Sequence, residues 1–159
     1  MFKLKFYKTR DVKSPTRGTP QSAGLDFYIP NDAFNNGGYK LYPGDRVNIP
    51  SGIHVNFTEQ SIGDGIGMAS IFFNKSGVAL RKGLLVGAEV IDEDYQGEIH
   101  INLFNASTEP VVLGPGDKII QLLLMPVMYA EPVEVMSAKE LYPEKTIRGT
   151  GGFGSTGNK

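Results

Sequence analysis

The sequence contains no cysteine and only two histidines among its 159 residues. The lack of cysteine excludes disulfide bonds, thiolate catalysis and zinc sites built from thiolates. His54 and His100 lie on the polar sides of predicted strands and have no second ligand residue nearby in the sequence. We interpret both as surface or subunit-contact residues, which argues against a zinc hydrolase.

Long hydrophobic runs are also missing. No stretch approaches the roughly 20 apolar residues that a membrane-spanning helix needs. The first residues, MFKLKFYKTR, alternate apolar and basic side chains and lack the apolar run of a signal peptide. We therefore expect no membrane partner and a cytoplasmic location, which would be the host cytoplasm for a viral protein.

An excess of positive charge is absent as well. The chain has 16 Lys and Arg residues against 17 Asp and Glu residues, for a formal net charge of -1. Proteins that hold nucleic acid by its phosphates usually carry a clear basic excess, so we expect no direct nucleic-acid binding. A polyanionic small molecule is compatible with this charge because it needs only a few local cations and backbone N–H groups.

Glycine and proline, by contrast, are plentiful. The 20 glycines and 10 prolines lie between short apolar runs, some of which alternate apolar and polar residues with a period of two. This pattern predicts an all-β fold, a jelly-roll-like β-barrel or sandwich. The end of the chain, RGTGGFGSTGNK, has five glycines in twelve positions and cannot form a core. We therefore predict a β domain over residues 1–147 and a flexible glycine-rich arm over 148–159.

An acidic segment, VIDEDYQGE, spans residues 90–98. In a protein of unknown activity it would most often be an acidic hairpin tip. The functional interpretation puts Asp92 where a buried strand meets a cleft, where its carboxylate can orient or deprotonate a water molecule. Tyr95 would then offer an aromatic face to a ring of the ligand.

Three further segments each allow a structural and a functional interpretation. Lys75-Ser76-Gly77 is either a plain turn or a small phosphate nest of a cation, a hydroxyl and free backbone N–H groups. Asp26 is either a turn former or a carboxylate beside a hydrated Mg²⁺. Gln121 lies within an apolar strand, as a satisfied buried amide or as a ligand contact.

The glycine-rich tail carries Arg148 and Phe153, residues that a disordered terminus does not need. Disorder is one interpretation. In the other, the tail is a lid whose Arg148, Ser155 and Thr156 contact phosphates while Phe153 stacks on a base.

Taken together and in order, five segments resemble the five motifs of the homotrimeric dUTPases. They are SAGLDF, NKSGVA, GAEVIDEDYQGEI, GDKIIQL and RGTGGFGSTG, and the resemblance runs from about residue 22 to residue 157. It implies hydrolysis of dUTP to dUMP and pyrophosphate, which keeps uracil out of DNA and supplies dUMP for dTMP synthesis. It also implies Mg²⁺ as cofactor and a homotrimer with sites shared between subunits.

The resemblance implies a role for each site residue. Asp92 would orient the water that attacks the α-phosphorus, Tyr95 would lie under the deoxyribose, and Asp26 would anchor the Mg²⁺ shell through water. The substrate contacts that it implies are Lys75, Ser76, Gly77, Ala88, Glu89, Val90, Ile91, Tyr95, Gln121, Arg148, Phe153, Gly154, Ser155 and Thr156.

Two departures from the family pattern lie in these motifs. Lys75 replaces the usual arginine, which keeps the charge but loses the two-pronged geometry of a guanidinium. Glu89 replaces the usual glycine beside the base pocket, which is harmless if its side chain points outward and puts the base preference in doubt if it points inward. Lys118 and Ile120 replace Arg and Ala, and Phe27 replaces Leu.

Two other functions fit parts of this pattern. A dCTP deaminase resembles dUTPases in fold and trimer, but no segment is clearly suited to handle the exocyclic amine, and ammonia release would identify it. A nucleotide-sensing regulator would bind dUTP tightly with little turnover and signal to a partner protein.

Overall fold

The structure, a computed structural model, describes residues 3–35, 37–58 and 63–152. The chain divides into two units, Met1–Tyr129 and Ala130–Lys159. This division comes before the predicted boundary at residue 147, and the role of residues 148–159 as an arm stays a prediction.

The regular secondary structure of the first unit is almost entirely β-strand, as predicted. The described part of this unit contains the following elements: β1 Lys5–Lys8, β2 Leu25–Tyr28, β3 Tyr39–Leu41, β4 Arg46–Pro50, β5 Ile53–Asn56, β6 Ile66–Asn74, α1 Ser76–Lys82, β7 Leu84–Val86, β8 Val90–Ile91, β9 His100–Asn105, β10 Val111–Leu113 and β11 Lys118–Met128. In β9 the side chains alternate between exposed or half-buried and buried, which agrees with the alternation of apolar and polar residues in the sequence.

The strands pair antiparallel in four sheets, ordered β1-β5, β10-β3, β2-β11-β6-β8 and β4-β9-β7. The sheets stay open rather than closing on themselves in the described part of the chain, so the sandwich form of the prediction fits. Side chains from these sheets meet in one hydrophobic core. Within it, the rings of Phe27 and Phe72 pack edge to face with centroids 5.2 Å apart.

The four-stranded sheet positions most of the predicted site. In its register Gln121 of β11 lies between Asp26 of β2 and Phe73 of β6. At the far edge, Ile91 of β8 pairs with Ser70 of β6. The residues that follow β6 and β8 are therefore the predicted phosphate segment and the predicted acidic turn.

Helix α1 was not predicted, because seven residues are too few to show a helical period. Lys75 is extended and precedes the helix, and Gly83 ends it in the left-handed conformation at φ 63°. The N–H of Gly83 donates to the carbonyl of Ala79, a common way to close a helix on glycine. Residues 75–77, for which the sequence allows a plain turn or a phosphate nest, thus lead into a short helix.

The second unit contains one helix in its described residues, α2 Ala138–Leu141. The Ser137 hydroxyl accepts the N–H of Glu140, and the Glu140 carboxylate accepts the N–H of Met136. Ser137 thus caps this short helix. In the described part of the chain, no helix is long and apolar enough to cross a membrane. The cytoplasmic location stays a prediction.

Candidate active site

The acidic turn begins directly after β8. The N–H of Tyr95 donates to the carbonyl of Asp92 over 3.2 Å and closes the turn. Asp92 is exposed and lines a cavity of about 630 Å³, together with Met68 and Val90. Its carboxylate has no hydrogen bond or ion pair with any of the described residues, so its oxygens are available to water or a ligand.

Tyr95 holds a defined position beside this turn. Its hydroxyl donates to the carbonyl of Glu98 over 3.0 Å, and the residue is 46% exposed. A Cβ at Gly97 would collide with the Tyr95 hydroxyl and ring. Glycine at 97 therefore allows the ring to lie against the backbone of the turn while one face stays open.

The segment of residues 88–91 forms an edge of the four-stranded sheet. The N–H of Phe72 donates to the carbonyl of Glu89 over 2.8 Å, and Val90 is 65% exposed. The other side of an edge strand carries backbone groups that can pair with an added partner. The Glu89 side chain is exposed and is not among the described residues that line the Asp92 cavity, which favours the outward orientation.

Asp26 has a different environment from Asp92. It is only 4% exposed, and each of its carboxylate oxygens contacts a lysine: Oδ1 accepts from Lys75 Nζ, and Oδ2 lies 3.1 Å from Lys118 Nζ. Burial alone would raise the pKa of Asp26, but the two ammonium groups outweigh burial and hold that pKa below its ordinary value. Asp26 in turn raises the pKa of Lys118.

These lysines belong to a cationic cavity of about 250 Å³ at the start of α1. The polar and glycine residues that line it are Lys75, Ser76, Gly77, Arg81, Lys118 and Gln121. The structure thus brings together four residues predicted for substrate binding, 75–77 and 121. Arg81 was missed because its link to Gly77 depends on the unpredicted helix, in which residues four apart are neighbours. In the sequence, Lys118 stands out only as a replacement for the arginine of the family pattern.

Gln121 lies at the edge of this cavity with its amide held by a hydrogen bond to the protein. Its Nε2 donates to the carbonyl of Asn74 over 2.9 Å. A Cβ at Gly24 would come within 2.7 Å of Gln121 Oε1, so the glycine leaves room for the amide. This hydrogen bond fixes the direction of the side chain and is compatible with a ligand role.

The predicted residues form two separate groups on one chain. The cavities of Asp92 and of Lys75 share no lining residue in the described part of the molecule. Arg148 belongs to the second unit, where its Nε donates to the carbonyl of Gly151 over 2.8 Å. The predicted contacts Phe153, Gly154, Ser155 and Thr156 lie outside the described residues.

Comparisons of the sequence with known proteins all indicate one family. The dUTPase family matches residues 10–157 of the chain. A deoxyuridine 5'-triphosphate nucleotidohydrolase of Mycolicibacterium gilvum is 36% identical over 150 residues, which cover 92% of this chain and 89% of the relative. The enzyme of the same name from Debaryomyces hansenii is 35% identical over 152 residues, 96% of this chain and 85% of the relative.

Solved structures agree on the fold. The dUTPase of Staphylococcus bacteriophage 80alpha with dUpNHpp superimposes with a TM-score of 0.74 at 20% identity, covering 99% of both chains. A mutant dUTPase of phage phi11 of S. aureus, whose structure revealed the coordination of a structural Mg(II) ion, gives a TM-score of 0.66 at 20% identity over 86% of this chain and 99% of that one. The predicted all-β, jelly-roll-like fold is confirmed.

Proposed function

The chain belongs to the dUTPase family and hydrolyses dUTP to dUMP and pyrophosphate, and we propose that Asp92 orients the water that performs this reaction. The observation that carries the proposal is the free, exposed carboxylate at the end of β8, at the side of an open cavity. Phosphoryl transfer mainly requires positioning, neutralisation of charge and an oriented nucleophile. Asp92 would accept a hydrogen bond from the attacking water and draw its proton as the water oxygen bonds to the α-phosphorus. The bond from that phosphorus to the bridging oxygen then breaks, and pyrophosphate leaves.

The base and sugar would bind beside Asp92. The open edge of residues 88–91 offers backbone groups that can pair with the uracil as a neighbouring strand would. The exposed face of Tyr95 would lie under the deoxyribose and leave no room for a 2′-hydroxyl. Both groups flank the turn that carries Asp92, which supports this assignment.

The triphosphate would bind at the cationic cavity. Lys75, Lys118 and Arg81 provide three positive charges there, and the Ser76 hydroxyl adds a donor. The first N–H groups of α1, at Ser76 and Gly77, have no acceptor within the helix and can also face a phosphate. Gln121 would contact a phosphate or a bound water. Arg148, Gly154, Ser155 and Thr156 would close over the β- and γ-phosphates while Phe153 covers the base.

Mg²⁺ is implied by the family resemblance, and it would neutralise developing charge on the phosphates. Asp26 could anchor its shell only through water, because both carboxylate oxygens already contact ammonium groups and would accept the water through their remaining lone pairs. No group of three or more His, Cys, Asp or Glu residues capable of holding a metal exists in the described residues. Dependence on Mg²⁺ stays a prediction, and no catalytic step here relies on the ion.

We further propose that a complete site forms in a homotrimer. The Asp92 cavity and the cationic cavity are separate on one chain. The Asp92 cavity of one subunit would therefore be completed by the cationic cavity of its neighbour. A third, largely apolar cavity of about 590 Å³ supports association between subunits. It is lined in part by Leu4, Phe6, Leu122 and Leu124.

The test is release of pyrophosphate from dUTP, dCTP, dTTP and UTP, with Mg²⁺ and with EDTA. We expect cleavage of dUTP alone, lost in EDTA and restored by added Mg²⁺. Ammonia released from dCTP would instead indicate the deaminase, and tight binding of dUTP without turnover would indicate the sensor.

A further inference from the structure

Glu93, the residue after Asp92, ties the acidic turn to two strands. Its Oε2 accepts the N–H of Met68 in β6 over 2.9 Å and the hydroxyl of Tyr129 over 2.7 Å. Tyr129 directly follows β11, and its own N–H donates to the carbonyl of Gly65 over 3.0 Å. One carboxylate oxygen therefore connects the turn to the ends of two paired strands.

The position of the Tyr129 hydroxyl depends on a missing side chain. A Cβ at Gly67 would collide with the hydroxyl and ring of Tyr129. Gly67 has no positive φ, so its backbone conformation does not require glycine. The close approach of the phenol is therefore the physical reason for glycine at 67.

The three acids of the turn differ in what they contact. Glu93 accepts two hydrogen bonds, whereas the carboxylates of Asp92 and Asp94 have no hydrogen bond or ion pair with the described residues. The Met68 N–H and, next, the Tyr129 hydroxyl lower the pKa of Glu93, so the acceptor stays ionised at neutral pH. Hydrogen bonds to an ionised acceptor are about twice as strong as neutral ones.

Besides this tie, the turn is attached to the four-stranded sheet through a short strand. Strand β8, which leads into Asp92, has two residues and two paired positions with β6. We propose that Glu93 is a positioning residue that holds the turn, and with it the Asp92 carboxylate, in the geometry that orients the attacking water. This inference rests on the proposed role of Asp92. A misplacement of about 1 Å can cost about 100-fold in rate.

The experiment compares Glu93→Ala with Glu93→Gln, with Asp94→Asn as the matched control in the same turn. Glu93→Ala removes the acceptor, so kcat for dUTP should fall at least about 10-fold while KM changes less than about 3-fold. Glu93→Gln keeps a carbonyl acceptor for the Met68 N–H and should recover most of the lost kcat. Asp94→Asn should stay close to the unmodified protein, and Tyr129→Phe should fall between, because one of two hydrogen bonds remains.

A double variant separates positioning from a structural role. If Glu93 acts through Asp92, Glu93→Ala should have little further effect on kcat when Asp92 is already Asn. Equal losses in Glu93→Ala and Glu93→Gln would overturn the proposal, because they would mean that the charge itself is needed. A lower unfolding temperature with unchanged kcat would overturn it too. Full activity of Asp92→Asn alone would instead refute the role of Asp92, which is a distinguishable failure.

Discussion

Asp26 lies in one edge strand of the four-stranded sheet, and Asp92 directly follows the strand at the other edge. The two carboxylates have opposite environments. Asp26 is buried in β2, and both of its oxygens contact lysines. Asp92 is exposed after β8, and its carboxylate has no partner in the described residues. The comparison separates two uses of the same group: a paired carboxylate orders cations, while a free one is available to a water molecule.

Asp26 also allows Lys75 and Lys118 to lie close together. Their like charges would repel in a cavity of about 250 Å³, and Asp26 between them offsets that repulsion. A phosphate entering the cavity would meet cations that are already in position. Pre-positioned charge lowers the cost of reorganisation on binding.

A large effect is expected from removing the arm that is proposed to contact both the phosphates and the base. Deleting residues 148–159 should leave a folded first unit but lower kcat/KM for dUTP at least about 100-fold, because phosphate and base contacts would be lost together. Steady-state kinetics and circular dichroism of the truncated chain check this. Unchanged kinetics would show that the two cavities work without a lid.

A smaller effect is expected from Asp26→Asn, with Asp32→Asn as control. Asp26→Asn should lower the free energy of unfolding by about 1–3 kcal/mol, since the lysines lose a charged partner. Asp32 pairs with Arg10 at 3.1 Å but is mostly exposed, so its loss should cost about 0–1 kcal/mol. Urea unfolding of both variants measures the difference, and equal losses would contradict the role given to Asp26.

The pH dependence of this stability has a defined sign. The pKa of Asp26 is lowered in the folded protein from an ordinary 3.8. Its contribution is therefore fully present above the ordinary value and is lost as the pH falls through the lower, folded value. Asp26→Asn should flatten the acid limb of the stability profile, and an unaltered acid limb would be the contrary result.

The smallest effect is expected at Tyr95, within the Asp92 region. Tyr95→Ala should weaken discrimination against UTP by roughly 10-fold, because the ring no longer excludes a 2′-hydroxyl. Tyr95→Phe is the control, since it keeps the ring and loses only the hydrogen bond to Glu98. The ratio of kcat/KM for dUTP and UTP measures this, and unchanged selectivity would mean that the sugar is recognised elsewhere.

Much of the fold could be predicted from local pattern. Alternation in β9 and the Ser137 cap depend on residues a few positions apart, where periodicity and capping rules apply. The residues that pair across the sheet could not be predicted in this way. The contact of Lys118 with Asp26 depends on the register of β11 against β2, which shifts between Lys118 and Ile120.

The same limit applies to the site. Asp92 and Lys75 stand in short segments whose chemistry is visible in the sequence. The tie between Glu93 and Tyr129 joins residues 36 positions apart, and no local rule connects them. Arg81 could not be predicted, because α1 is too short to show a helical period in the sequence.

The role of Asp92 in orienting the attacking water is tested most directly by the kinetics of Asp92→Asn, together with its affinity for a non-hydrolysable dUTP analogue. If Asp92 orients the attacking water, kcat should fall about 10²–10⁴-fold while the dissociation constant changes little, because the amide cannot draw a proton from water but leaves the cavity intact. Near-normal turnover by Asp92→Asn would refute this role.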